Sequence, residues 1–239
     1  MSRLTDNDAS RRRFLLGMLA MGAFSSLPGC ASGPKVNRAM PMPDMMPADK
    51  SVFQYMGQFT VNGQAADLQS LVTPGAVIET GDKSEVIFVV NKDAFLMRSN
   101  SRMVIAEQNV GGHYLLQRGK LMSVFAARQT EIRTPSAVIA IRGTGVYLES
   151  DPDLTYVCTC YGETDIATTD NPAINEFIAS KHHDAPRYVL ADQNRQNRIQ
   201  PAPFINHDDQ ELLLIETLVG RSTPYVVPKG VKRSRSSYL

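Results

Sequence analysis

Cysteine and histidine are the side chains best suited to hold a metal or to run thiol chemistry, and this 239-residue chain concentrates them. Three strings carry them: Cys158-Thr159-Cys160, His182-His183-Asp184 and Asn206-His207-Asp208-Asp209. Three of the four histidines and two of the three cysteines therefore fall between residues 158 and 209. On a strand, positions two apart share a face, so Cys158 and Cys160 would project together. Two thiolates with imidazoles drawn from His182, His183 and His207 would complete a tetrahedral zinc site, or hold copper or iron. The same residues have plainer readings. A Cys-x-Cys pair can be two small core residues, a local disulfide or a bond to another chain, and the histidines can cap element ends. The spacing matches no standard zinc signature. A hydrolase pairing Cys158 or Cys160 with His182 or His183 is chemically conceivable. The chain nonetheless holds no nucleophile elbow, phosphate loop, dinucleotide fingerprint or zincin helix, so the expectation is a protein that is not an enzyme.

The elements that would position these residues read mostly as strands. Apolar runs of three to eight residues, such as Val86–Val90, Ala94–Met97, Met103–Ala106, Tyr114–Leu116 and Ala137–Ile141, are separated by Gly, Asn, Asp or Pro. Those lengths and separators favour strands over helices. Gly81-Asp82 between Ile78–Thr80 and Glu85–Val86 reads as a hairpin turn, and connections this short predict an antiparallel meander. A helix is expected near 209–219. Asp208 and Glu211 have capping-box spacing, Leu212, Ile215 and Val219 share a face, and Gly220 can stop the helix. A second, weaker helix is expected over Ala173–Ser180, because Pro172 suits a first turn.

The N-terminus reads as an address. Arg11, Arg12 and Arg13 precede an apolar run from Phe14 to Phe24, too short for the roughly 20 residues that span a bilayer. Ser10-Arg11-Arg12-Arg13-Phe14-Leu15 resembles a twin-arginine export signal. Leu27-Pro28-Gly29-Cys30 resembles a lipoprotein lipobox, in which Cys30 would carry the lipid, with Pro28 standing where a small residue is usual. Residues 31–50 form a Pro- and Met-rich tether. Met40, Met42, Met45 and Met46 in it could offer thioethers to Cu(I), or serve only as linker. The tail from Lys229 to Arg235 is basic and reads as a solvated terminus. The formal charge is +1, and setting aside residues 1–29 leaves −1, which argues against nucleic acid as a partner.

A series of short landmarks runs through the strand-rich part: Val61-Asn62-Gly63, Leu71 with Pro74-Gly75, and Ile78-Glu79-Thr80-Gly81 with Ser84. It continues with Leu116 and Gly119, Ile132-Arg133-Thr134-Pro135-Ser136-Ala137, and Ile141-Arg142-Gly143-Thr144-Gly145-Val146. In order and spacing the series resembles the FecR-family periplasmic domain over about residues 53–168. The resemblance implies an all-β sensor or scaffold domain, which in the family's regulators relays a transporter's state to a sigma factor. Those regulators carry a cytoplasmic region ahead of a membrane-spanning helix. Here thirteen residues precede the apolar run, which points to a stand-alone form.

Read as residues, Pro135 suits a strand entry after Thr134, and Gly143 and Gly145 around Thr144 suggest a bulge. Arg142 would pack its stem and bond its head to carbonyls or a carboxylate, or else meet a ligand. The expected architecture is all-β, with a signal peptide over 1–30, a tether over 31–50, a FecR-like β domain over 51–168 and an extension over 169–239. The expected setting is the periplasm or outer envelope. The expected partners are envelope proteins, with a membrane contact through the lipid on Cys30.

Overall fold

The computed structural model describes residues 43–107 and 112–227. The export signal with Arg11 and Arg12, the lipobox Cys30, Met40 and Met42 of the tether, and the basic tail from Lys229 lie outside the described residues.

Fourteen strands and one helix follow in order: β1 (Val52–Met56), β2 (Phe59–Val61), β3 (Gln64–Ala65), β4 (Val77–Thr80), β5 (Glu85–Val90), β6 (Asp93–Met97), β7 (Arg102–Ile105) and β8 (Gly112–Val124). Then come β9 (Gln129–Arg133), β10 (Ala137–Asp151), β11 (Leu154–Thr168), β12 (Asn175–Ser180), β13 (Arg187–Leu190), β14 (Ile199–Pro201) and α1 (Asp209–Leu218). The protein is therefore all-β with a short helical appendage near its C-terminus. Among the described residues no helix is long and apolar enough to cross a membrane.

The strands form one continuous ladder that curls on itself. The first half of β8 pairs with β7 and, in parallel, with β9, while its second half pairs with β6 and β10. A parallel pair needs a crossover of about a dozen residues or more, and the rest of β8 itself supplies it. Curling divides the apolar side chains into two cores. Phe88, Phe95, Leu121, Leu148 and Val157 line the inside, whereas Ile87, Leu96, Met122, Tyr147, Tyr156, Cys158 and Cys160 point the other way. Strands buried on both faces have no polar side to alternate with, which is why β5 reads as the unbroken run Val86–Val90. The second core is closed by α1 through Leu212, Ile215 and Leu218.

The helix forms where the capping signals place it. The Asp208 carboxylate accepts from the Glu211 amide, and the Glu211 side chain accepts from the Asp208 amide. Gly220 turns left-handed at φ 70°, and the amides of Gly220 and Arg221 return to the carbonyls of Thr217 and Glu216. Arg98 of β6's trailing turn, nearly buried, pairs with Glu211 at 2.8 Å and lies over the Tyr147 ring.

Two expectations are corrected. Residues 175–180 are a strand, not a helix: they pair with β11 from Gly162 to Ala167 and bury alternate residues, notably Ile178 and Ser180. A helix there would have buried little besides Ile178, so the ladder beside β11 wins over the Pro172 signal. Residues 81–84 do not close a hairpin either. β4 pairs with β2 and β7, while β5 pairs with β1 and β6, so the turn carries the chain between two parts of the ladder. Its left-handed residue is Lys83, at φ 49°, and buried Ser84 pins it by accepting from the Gln58 amide.

Gly119 sits inside β8, at φ 93°, and an added Cβ there would lie only 2.5 Å from Ser101 Cα. Gly119→Ala is expected to cost about 2–4 kcal/mol of stability by chemical denaturation. Glu85 on β5 is half-buried, and burial together with the Glu211 charge pushes its carboxyl up to about 8. Its folded pKa exceeds the unfolded one, so its share of stability is complete below the unfolded pKa and is lost as pH rises toward 8. The denaturation midpoint should fall between pH 5 and 8 in the native sequence, and Glu85→Gln should flatten that fall.

Candidate metal centre

β11 carries the first two ligand candidates. Cys158 and Cys160 are fully buried, unpaired with each other, and both face the second core, as spacing two on a strand requires. The intervening Thr159 points the other way and bonds the Thr164 hydroxyl at 2.7 Å.

The connection from β12 to β13 delivers the histidines. The Asp184 carboxylate accepts from the amides of Lys181 and His182 just before it, which fixes the turn. His183 takes the left-handed conformation at φ 56°, and its amide donates to the Cys160 carbonyl at 3.0 Å. Its ring is thereby buried over the cysteines, with Nδ1 3.5 Å from Cys158 Sγ. His182 faces outward, half-buried, and reaches Asp209 Oδ1 with Nε2 at 2.9 Å.

His207 enters from the segment that leads into α1. Its ring stacks on Tyr147 with centroids 4.3 Å apart, and its Nε2 lies 3.1 Å from His183 Nδ1. Ligand atoms of Cys158, Cys160, His183 and His207 all lie within 4.8 Å of one another. In a tetrahedral zinc site, bond lengths of about 2.3 Å to sulfur and 2.0–2.1 Å to nitrogen imply sulfur–nitrogen edges near 3.5 Å and nitrogen–nitrogen edges near 3.3 Å. The two edges seen here, 3.5 and 3.1 Å, match that figure.

Hydrogen bonds outside the four residues determine which ring nitrogens face inward. His207 Nδ1 lies 2.6 Å from the Ile205 carbonyl, which can only accept, so Nδ1 carries the proton and Nε2 offers its lone pair to the centre. His183 Nε2 donates to Asp209 Oδ1 at 3.0 Å, leaving Nδ1 as the inward nitrogen. A carboxylate or carbonyl behind each imidazole is the usual support of a histidine ligand. The 3.1 Å approach of the two inward nitrogens calls for positive charge between them, either a proton on His183 Nδ1 or a metal ion.

The titration behaviour points the same way. Burial alone would raise the Cys158 thiol, but a hydrogen bond from Cys160 and the neighbouring imidazoles bring it well below the ordinary thiol range. Burial and the Cys158 thiolate push Cys160 up. Burial would lower His183, yet Asp209 and Cys158 raise it to about 9. Burial would raise Asp209, and the two histidines hold it far below the usual carboxylate range. The pocket therefore collects positive charge. With both thiols deprotonated it offers two anionic and two neutral ligands, closed to solvent, to a metal ion.

Of the five sequence-marked ligand candidates, four converge and His182 stands behind them on Asp209. Asp209 and the Tyr147 platform were not singled out from sequence. Asp209 had one signal, an acid in a first helical turn two residues beyond His207.

The motif residues lie elsewhere. Thr134 Oγ1 accepts from the Ala137 amide and bonds Thr155 Oγ1 at 2.7 Å, shaping the β9–β10 turn in which Pro135 is exposed. Gly143 adopts φ 58° where the β10–β11 register slips, and buried Thr144 donates to the Arg142 carbonyl. The Arg142 side chain is exposed, not packed, so what Arg142 lends the bulge is its carbonyl. Met46 packs into the second core and Met45 is exposed.

The chain matches no protein-family model and no curated protein. It is similar to two crystal structures of a "putative anti-sigma factor" from Parabacteroides distasonis ATCC 8503, solved at 2.50 and 1.65 Å. Each aligns with a TM-score of 0.45 at 10% identity over 57% of this chain. The alignment spans 62% of that protein's length, under two thirds.

Burial of both sulfurs makes an accessible prediction. In the folded protein with metal bound, Cys158 and Cys160 should react with a disulfide reagent at least about a hundredfold more slowly than after unfolding, because reaction must wait for local opening. Fast labelling of either in that state would contradict their placement.

Proposed function

We propose that this protein is an exported envelope module whose β domain is built around a closed, divalent Cys2His2 metal centre, with zinc the best fit. The observation that carries the reading is the approach of His183 Nδ1 and His207 Nε2 to 3.1 Å, each with its other nitrogen already bonded to an acceptor. That arrangement favours positive charge between the two nitrogens, and with two thiols beside them a divalent ion can take the place of the proton.

Charge selects among metals. Two thiolates neutralise a divalent ion, whereas Cu(I) would leave a net negative charge in a site where every ligand is buried. Four protein ligands leave no open position for water or substrate, so the centre supports a structural or sensing role and no hydrolytic one. The FecR-like series of motifs supports a sensor or scaffold domain of that kind. In this reading Arg11 and Arg12 address the chain for export already folded and metal-loaded, Cys30 bears the lipid, and the partners are other envelope proteins.

Elemental analysis tests the centre. The purified chain should hold about one zinc equivalent, and a Cys158→Ser, Cys160→Ser double variant none. Cobalt in place of zinc should show thiolate-to-cobalt charge-transfer absorption that the variant lacks. A metal-free native chain whose two cysteines are linked by a disulfide would replace the metal reading with thiol redox chemistry.

A further inference from the structure

Resting on that metal reading, we propose that the centre is a clasp: the bound metal holds the C-terminal segment 203–225 on the sheet, and its loss releases that segment together with the lead residues 43–50.

The ligands divide into fixed and movable sets. Cys158 and Cys160 lie within β11, which is bonded to β10 along one edge and to β12 and β13 along the other. His183 is held by its own amide on the Cys160 carbonyl. His207 belongs to the segment that carries α1, and Asp209 lies in the helix's first turn. Without a metal, His207 keeps only its 3.1 Å contact with His183 and its stacking on Tyr147, so the His207 side is the one free to move.

The segment's remaining attachments are side-chain packing and single hydrogen bonds, with no strand ladder among them. The helix buries Leu212, Ile215 and Leu218, pairs Glu211 with Arg98, accepts from the Tyr161 hydroxyl at Glu216 and from His182 and His183 at Asp209, and is followed by Arg221, which donates to the Lys92 carbonyl. Ahead of it the Ile205 amide donates to the Tyr156 hydroxyl and Asn206 donates to Glu149. Ten residues are too few to persist as a helix once undocked. At its far end the Leu218 carbonyl accepts from the Met46 amide at 2.9 Å, and the Met45 side chain lies over Gly220. Releasing the helix therefore unseats residues 43–50 and bares the second face of the sheet at Ile87, Leu96, Met122 and Tyr156. A sensor domain needs such a metal-dependent change of surface.

Hydrogen exchange read by mass spectrometry on the full chain, with one zinc equivalent and after chelation, tests the clasp. Zinc removal should speed exchange of the amides in 209–221 and of Met46 at least about tenfold while leaving those of β10 unchanged. Uniform loosening of β10 and α1 together, or no change despite proven zinc loss, would overturn it. A second arm breaks the dock without touching a ligand: Arg98→Met should weaken zinc binding by the factor by which it raises helix opening, since linkage is reciprocal. Faster helix exchange with unchanged zinc affinity would also overturn it. A chain that never takes up zinc fails at the elemental analysis, which separates failure of the metal reading from failure of the clasp.

Discussion

β5 and β6, the second halves of β8 and β10 and the first half of β11 are buried on both faces, and a sheet of that kind cannot leave either face to water. One face closes on itself as the ladder curls, with Phe88, Phe95, Leu121 and Val157 meeting inside. The other needs a separate cover, and α1 is the one helix among the described residues. Three fully buried aliphatic side chains of the helix contribute about 1.5–3 kcal/mol each, a modest sum against the ordering of the segment that carries them. The rest of the docking comes from polar groups: the capping box, the Arg98 pair and the cluster around His207.

Because the helix lies across β6 and β8, the segment leading into it passes over the same two residues, Cys158 and Cys160, that β11 buries on its outer face. His207 then meets His183, and Asp209 backs the rings of both His183 and His182. The electrostatics follow from that geometry. A buried thiolate and a half-buried carboxylate with imidazoles between them form a pocket that favours positive charge. Tyr147 under His207 and Phe204 beside it exclude the water that would otherwise screen the arrangement.

Much of the local structure was legible residue by residue. The capping box at Asp208 and Glu211 and the stop at Gly220 are short-range signals whose physics lies within a few residues, and the helix begins and ends on them. The apolar runs marked strands for the same reason. The misreadings share a cause. Gly81-Asp82 has the local form of a hairpin turn, but strand choice is made by whichever partners bury both faces of β5. Pro172 is a fair helix start, but the edge of β11 offered residues 175–180 a ladder. In both places a distant strand outweighed a local preference. Arg142 failed similarly: its backbone was read correctly at a bulge, while its side chain's exposure depends on neighbours far along the chain.

The sequence by itself determined the chemistry on offer: two thiols at strand spacing, an adjacent pair of histidines, and a third histidine ahead of a self-capped helix. Those are facts of residue type and short spacing. Which three of the histidines and acids would stand together, and on which side, was decided only in three dimensions. His182 and His183 are adjacent in the chain and equal in kind, yet the left-handed turn at His183 aims one ring at the cysteines and the other at Asp209. Residues 23 to 49 positions apart meet because the sheet's second face must be covered, and burial of apolar surface is a property of the whole fold.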